Sequence, residues 1–290
     1  MPAATLHEHA LFDGNPILGG VHDLTTSVEP HAHDFVEVAV IGGGSGRHVT
    51  SCGERRLRRG DVIVLRPGAW HGFADCRHLV VANCCISAQA LRKELGHLHQ
   101  VPAFHRLLWT EPVAAGSHGI AVTQVDPDAA AEAVDAIGSL AQHLASAASR
   151  RRPGRTLGQL VTVLGILTDG RQPEPVPQVH PAVAATLARL EADPVRAWRL
   201  DDLAYAVNLD PDYLGRLFRR DVGLTPLGYL ARVRAEQAAN LLAHSDLPVT
   251  RVGAAVGWED PTYFARRFRA LVGLSPTEYR RRSRPGRATS

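Results

Sequence analysis

At 290 residues, with 45% hydrophobic and 21% charged residues, the chain has the size and composition of a globular protein of two domains rather than a disordered one. No apolar run is long enough to span a bilayer, and the N-terminal MPAATLHEHALFDG lacks the basic region and apolar core of a signal peptide, so a cytoplasmic protein is expected. The net charge of +3 hides an asymmetry: residues 1–179 carry 15 Lys+Arg against 17 Asp+Glu, whereas 180–290 carry 17 against 12.

In chain order, residues 17–86 alternate and are β-branched, as in FVEVAVI, DVIVLRP and HLVVANCCI, with glycine-rich turns at Gly42–Gly46 and Gly53. Short strands at this spacing predict an antiparallel barrel or sandwich. From Ala88 the pattern becomes helical, most clearly over 126–147, with Asp126 as cap and Pro127 at the first helical position, and over 155–169. These two segments are candidates for packing on the barrel or for a homodimer contact. RQPEPVPQ, with Pro173, Pro175 and Pro177, reads as a stiff linker. Cys52, Cys76, Cys84 and Cys85 have no CxxC spacing and are expected as thiols.

The C-terminal part contains an internal repeat. YLGRLFRRDVGLTPLGY (213–229) and YFARRFRALVGLSPTEY (263–279) align without a gap at an offset of 50, with nine of seventeen positions identical. Each copy ends a helix at Gly223 or Gly273 and starts another through Thr225-Pro226 or Ser275-Pro276. Within the first copy Leu214, Leu217 and Phe218 form an apolar stripe, and Asp212, Gly215, Arg216 and Arg219 fall on the other face; in the second, Phe264, Phe268 and Leu271 face inward and Thr262, Ala265, Arg266 and Arg269 outward. A small, arginine-bearing outer face on a helix backed by a partner suits the DNA major groove, where arginine reaches guanine or phosphate. All cationic residues except Lys93 are arginine, which favours such bidentate contacts.

Residues 180–283 resemble the DNA-binding domain of the AraC/XylS transcription regulators, two helix-turn-helix units joined by a long helix, most specifically through AAVGWEDPTYFARRFRALVGLSPTEYRR. The resemblance implies base contact by Asp212, Gly215 and Arg216, then Pro261, Thr262, Ala265 and Arg266. Pro261 stands where the family is usually polar, and Asp212 where a bulkier residue often sits. The helix from Pro226 to about Ala243 would span roughly 27 Å at 1.5 Å per residue, against about 34 Å between successive major grooves.

PHAHDFVEV (30–38) and GDVIVLRPGAWH (60–71) resemble the two motifs of a cupin. In a metal cupin His31, His33, Glu37 and His71 converge on one ion; in AraC-type sensors the same stretch lines an effector pocket. Alternation places His31, His33, Phe35 and Glu37 on one face. The effector-binding candidates are therefore His31, His33, Glu37, Arg47, Arg66, Trp70 and His71, with a carbohydrate as the first effector considered. The same histidines and Glu37 could hold a divalent metal, although no cofactor is required.

The expected architecture is α+β: a cupin-type antiparallel β-barrel sensing domain (1–100), a helical segment packing on it (101–171), the Pro-rich linker (172–179) and an all-α double helix-turn-helix domain (180–290). The expected protein is a transcription activator rather than an enzyme, partnered by promoter DNA, a small-molecule effector, RNA polymerase and a second copy of itself. The alternative is a metal-dependent cupin enzyme with a helical C-terminal tether.

Overall fold

The computed structural model describes residues 5–6, 11–12, 15–50, 53–92, 95, 97–98, 101–113, 118–146, 153–169 and 179–283. The expected linker at 172–179 falls outside them apart from Val179. Eight strands come first: β1 Thr5–Leu6, β2 Ile17–Leu24, β3 Val28–His33, β4 Val36–Thr50, β5 Gly53–Arg56, β6 Asp61–Leu65, β7 His71–Ile86 and, after two short helices α1 (Ala88–Arg92) and α2 (Pro102–His105), β8 Ile120–Gln124. Helices follow: α3 Pro127–Ala145, α4 Pro153–Asp169, α5 Pro181–Ala192, α6 Leu200–Tyr205, α7 Pro211–Val222, α8 Pro226–His244, α9 Val249–Ala255, α10 Pro261–Val272 and α11 Pro276–Ser283.

Two long strands organise the sheet. β4 and β7, of 15 and 16 residues, pair antiparallel along most of their length. The first half of β4 takes β6 on its other edge, and its second half takes β5. β7 takes β2 beside its second half and β3 beside its first. The register slips at Gly43, Ser45 and Arg47, where the glycine run bends β4. Only glycine fits at 44: φ is +75°, and a Cβ there would stand 1.9 Å from the His78 carbonyl oxygen. The path β1-β3-β7-β4-β6-β8 is open, so among the described residues the strands do not close into the expected barrel.

Both faces of the sheet centre are buried, which is why DVIVL reads as a continuous apolar run rather than an alternating one. One face, with Val36, Val38, Val40, Val62 and Val64, packs under α3 through Ala130, Ala133, Ile137 and Leu140 at helical spacing. Burying Ile137 and Leu140 stabilises this layer by about 1.5–3 kcal/mol each. Gly19 on β2 lies directly under this helix, where a Cβ would meet Leu140 Cγ at 3.4 Å, an ordinary contact distance. The other face gathers Ala39, Ile41, Ile63, Leu65, Leu79 and Val81.

The C-terminal region is all helix. Asp126, Asp210, Thr225 and Asp260 cap α3, α7, α8 and α10 through side-chain oxygens, each with proline in the first turn. Gly223 and Gly273 close α7 and α10 at φ of 78° and 87°, as the repeat implied. The core is continuous across the regions. Leu214, Phe218 and Leu203 join the cluster that contains the α3 layer, while Ala32 and Trp70 join Ala235, Ala239, Phe264 and Phe268.

Candidate functional site

The two copies of the repeat build matching helix pairs, α6–α7 and α9–α10. Asp210 accepts hydrogen bonds from the amides of Asp212 (2.9 Å) and Tyr213 (3.1 Å), and Asp260 accepts one from Tyr263 (2.7 Å). The turn inside each pair needs one left-handed residue, supplied by Asn208 (φ 53°) in the first and Gly257 (φ 86°) in the second. Those positions differ by 49, the offset of the upstream part of the repeat, so the paired Asn/Gly was a legible signal.

Of the base-reading candidates, Asp212, Arg216, Arg219, Pro261, Thr262, Arg266 and Arg269 are exposed, and Gly215 and Ala265 are half-buried on the same faces. Leu214, Leu217, Phe218, Phe264 and Phe268 point inward; Leu271 is only partly buried, and Val272 fills the core beside it. The Arg216 guanidinium carbon lies 5.9 Å from the Tyr213 ring centre, and that of Arg266 lies 5.6 Å from Tyr263. These stacked pairs, at equivalent positions, were not singled out in the sequence.

Helix α8 ties the loop leading into the first pair to the turn of the second. Arg234 donates to the carbonyls of Pro194 (2.7 Å), Arg196 (2.8 Å) and Val195 (3.2 Å) and to that of Gly257 in the second turn (2.9 Å). Burial pushes the Arg232 guanidinium down to about 10, partly offset by Glu236, and Arg232 donates to the Leu271 carbonyl at the end of α10.

The buried histidines form a second constellation. The strand containing them is broken at Asp34–Phe35, so the expected continuous alternation does not hold; His33 ends β3 and Glu37 lies in β4. The two still meet, with His33 Nε2 3.2 Å and His71 Nε2 3.9 Å from the Glu37 carboxylate. Donor atoms of His33, Glu37 and His71 all lie within 4.8 Å of one another. His33 Nδ1 donates to the Phe35 carbonyl (2.8 Å), which directs Nε2 at Glu37. In that tautomer Nε2 presents a lone pair to the carboxylate, an arrangement that a cation placed between the two would satisfy.

Burial raises the Glu37 carboxyl, but the bond to His33 and the charges of His33 and His31 outweigh it and hold the group below its usual value. Burial drives His71 well below the usual histidine value, helped by His31 and His33, and brings His48 down to about 4. Both His71 ring nitrogens and His48 Nε2 are buried and accept or donate no hydrogen bond among the described residues. His31 sits at the rim, its ring 4.5 Å from that of His71, with Nδ1 donating to the Glu29 carbonyl (3.0 Å). His48 was missed in the sequence because three register slips between Ile41 and Arg47 erase the phase of β4.

Three expected effector ligands lie elsewhere. Arg47 faces outward and pairs with Glu54 and Asp75. Arg66 is buried against α8, its Nε and Nη2 each 2.8 Å from the Glu236 carboxylate, with Nη1 donating to Leu108 O (3.3 Å). Glu236 raises the Arg66 guanidinium despite the opposing effect of burial. Trp70 packs edge-on against Tyr279, ring centres 6.3 Å apart, under Arg282. Arg66 and Trp70 take these neighbours from the C-terminal helices, which local pattern does not reveal. Cys76, Cys84 and Cys85 are free thiols as expected, and Cys52 lies outside the described residues.

A family model described as the AraC-like ligand binding domain matches residues 18–193, and a helix-turn-helix domain model matches 203–282. The chain belongs to the AraC family. It is a DNA-binding transcription regulator carrying a ligand-binding domain: the first match takes in the sheet from β2 onward and helices α1–α5, and the second the helices from α6 to α11. The HTH-type transcriptional activator RhaR of Escherichia coli K12 is 27% identical over 234 residues, 79% of each chain, and RhaR of Shigella boydii matches equally. Among solved structures, fatty-acid-bound ToxT of Vibrio cholerae superposes with TM-score 0.52 at 14% identity, covering 94% of this chain and 98% of that one, and thereby shares the fold. RhaR is a transcriptional activator, and no helix among the described residues of this chain is long and apolar enough to cross a membrane.

Proposed function

We propose that this chain is an effector-responsive activator that reads DNA with α7 and α10 in two adjacent major grooves. The observation that carries this is the exposure of Arg216 and Arg266 at equivalent positions on two helices held by one bridging helix. At 19 residues α8 is about 28 Å long, close to the roughly 34 Å groove repeat. In this reading the two helix pairs are a double helix-turn-helix, and one polypeptide covers two half-sites. The sheet is a cupin-type sensor, and the relative's designation as an activator favours contact with RNA polymerase. Leu157 and Val161, exposed on α4, suit a contact with a second copy. Genomic footprinting tests the proposal: protected sites should contain two motifs one helical turn apart, and protection without sequence preference would overturn it.

The effector enters the buried cluster of His33, Glu37 and His71. Imidazoles and a carboxylate beside the rings of Phe35 and Phe73 suit a small polyhydroxylated molecule, and carbohydrate is the class to test first. A sugar panel in a thermal-shift assay should show a stabilising member whose effect is lost in His33→Ala; a flat panel removes carbohydrate from consideration.

The two unpartnered nitrogens of His71 favour a second occupant, a divalent transition metal held by His33, Glu37 and His71, with His31 at the rim. Such an ion would supply a Lewis-acid anchor for effector oxygens. Elemental analysis of purified protein, with His33→Ala as control, decides this: stoichiometric metal lost in the variant supports it, and metal-free protein that still responds to effector excludes a required ion.

A further inference from the structure

We infer that the outer bend of β4, β5 and β7 is a second ligand site, specific for small polyanions and separate from the histidine cluster. A hollow of about 720 Å³ opens there, lined by Arg47, Arg56, Arg58, Arg77, Ser45 and Asp75 among others. Four arginines and one acidic residue thus line it, in a region (residues 1–179) whose overall charge is slightly negative.

The arrangement breaks a rule of sheet pairing. Arg47 and Arg56 are direct partners across the β4–β5 ladder, and like charges placed opposite each other destabilise a sheet. Glu54 and Asp75 take up Arg47. Among the described residues no carboxylate pairs with the side chains of Arg56, Arg58 or Arg77. The backbone around Arg77 is strained as well: Asp75 and His78 both hold positive φ, 53° and 47°, without being glycine. Local rules are broken in this way where function requires it. An anion of two or more charges in the hollow would relieve the repulsion, and guanidinium forks match the paired oxygens of phosphates and carboxylates. The volume falls within the roughly 300–1,000 Å³ of small-molecule sites.

The site is independent of the histidines. His48 is buried beside His71, whereas the adjacent Arg47 projects to the opposite, solvent side of β4.

Calorimetry on the full chain at low salt tests this with inorganic pyrophosphate and citrate as probes. Saturable one-to-one binding is expected for at least one of them, and which one binds separates a phosphate-bearing ligand from a polycarboxylate. Arg56→Ala/Arg77→Ala should weaken it tenfold or more, whereas Arg155→Ala, on α4 outside the hollow, should change it less than twofold. No saturable binding of either probe, or an equal loss in Arg155→Ala, overturns the inference. Hydrogen exchange on wild-type protein needs no variant: pyrophosphate or citrate should slow residues 45–58, and slowing confined to α7 and α10 would instead mark the DNA face as the anion site.

Discussion

Tyr213 and Tyr263 stand three positions before Arg216 and Arg266, and each offers its ring to the guanidinium that follows. A ring contributes about 0.5–1 kcal/mol to an exposed cation–π pair, enough to bias a long side chain toward one direction before DNA arrives. Replacing Arg216 or Arg266 by alanine is expected to weaken operator binding by about 1–3 kcal/mol and random DNA less. Tyr213→Ala should lose about 0.5–1 kcal/mol of operator affinity through its arginine, so it should add little to Arg216→Ala, while Tyr213→Phe should bind as wild type. Titration of operator and random duplexes checks both; full additivity of the tyrosine and arginine losses would separate the two roles. The arginines were legible from the repeat because the same residue types recur at one offset. The stacking was not, since alignment compares positions between copies and is silent on contacts within one.

At the scale of elements, α8 explains both what the sequence reveals and what it conceals. Its limits follow from Thr225-Pro226, and its length from the repeat. Its burial does not follow: Arg232, Arg234 and Glu236 would mark a solvated face, yet all three are buried. Arg234 owes this to four backbone carbonyls, three in the loop that leads into the first helix pair and one, Gly257, in the turn of the second. Burial without them would cost far more than exposure, and indeed burial lowers its guanidinium below the usual value. Arg234→Ala is therefore expected to destabilise the C-terminal helices by about 2–4 kcal/mol, because it leaves carbonyls unpaired as well as removing a charge. Urea unfolding followed by circular dichroism measures this. A loss under about 0.5 kcal/mol, the size of an ordinary surface change, would mean that water replaces the guanidinium without penalty.

For the whole molecule, the decisive contacts join residues far apart in sequence. Arg66 and Glu236 are separated by 170 positions, and both side chains are nearly inaccessible, at 4% and 3% exposure. Local pattern assigned Arg66 and Trp70 to the effector pocket because they lie within its second motif. Long-range packing instead gives them to α8 and α11. A second contact runs from Asp34, in the bend between His33 and Phe35, to His244 at the end of α8, 3.0 Å away. The bend that shapes the histidine cluster is thus tied to the helix that bridges the two helix pairs. An effector that shifts Asp34 or the end of β6 does work on α8, and by linkage DNA must alter effector affinity by the same factor that effector alters DNA affinity. Removing one partner of the buried pair, as in Arg66→Ala or Glu236→Ala, is expected to cost about 3–5 kcal/mol through the stranded charge, whereas Arg66→Met/Glu236→Leu should recover most of that stability. The double variant separates coupling from folding: if the ion pair transmits the signal, it should fold and bind operator but lose the effector response. If its effector response equals wild type, the signal travels through Asp34 and His244 instead, and Asp34→Asn should then abolish it.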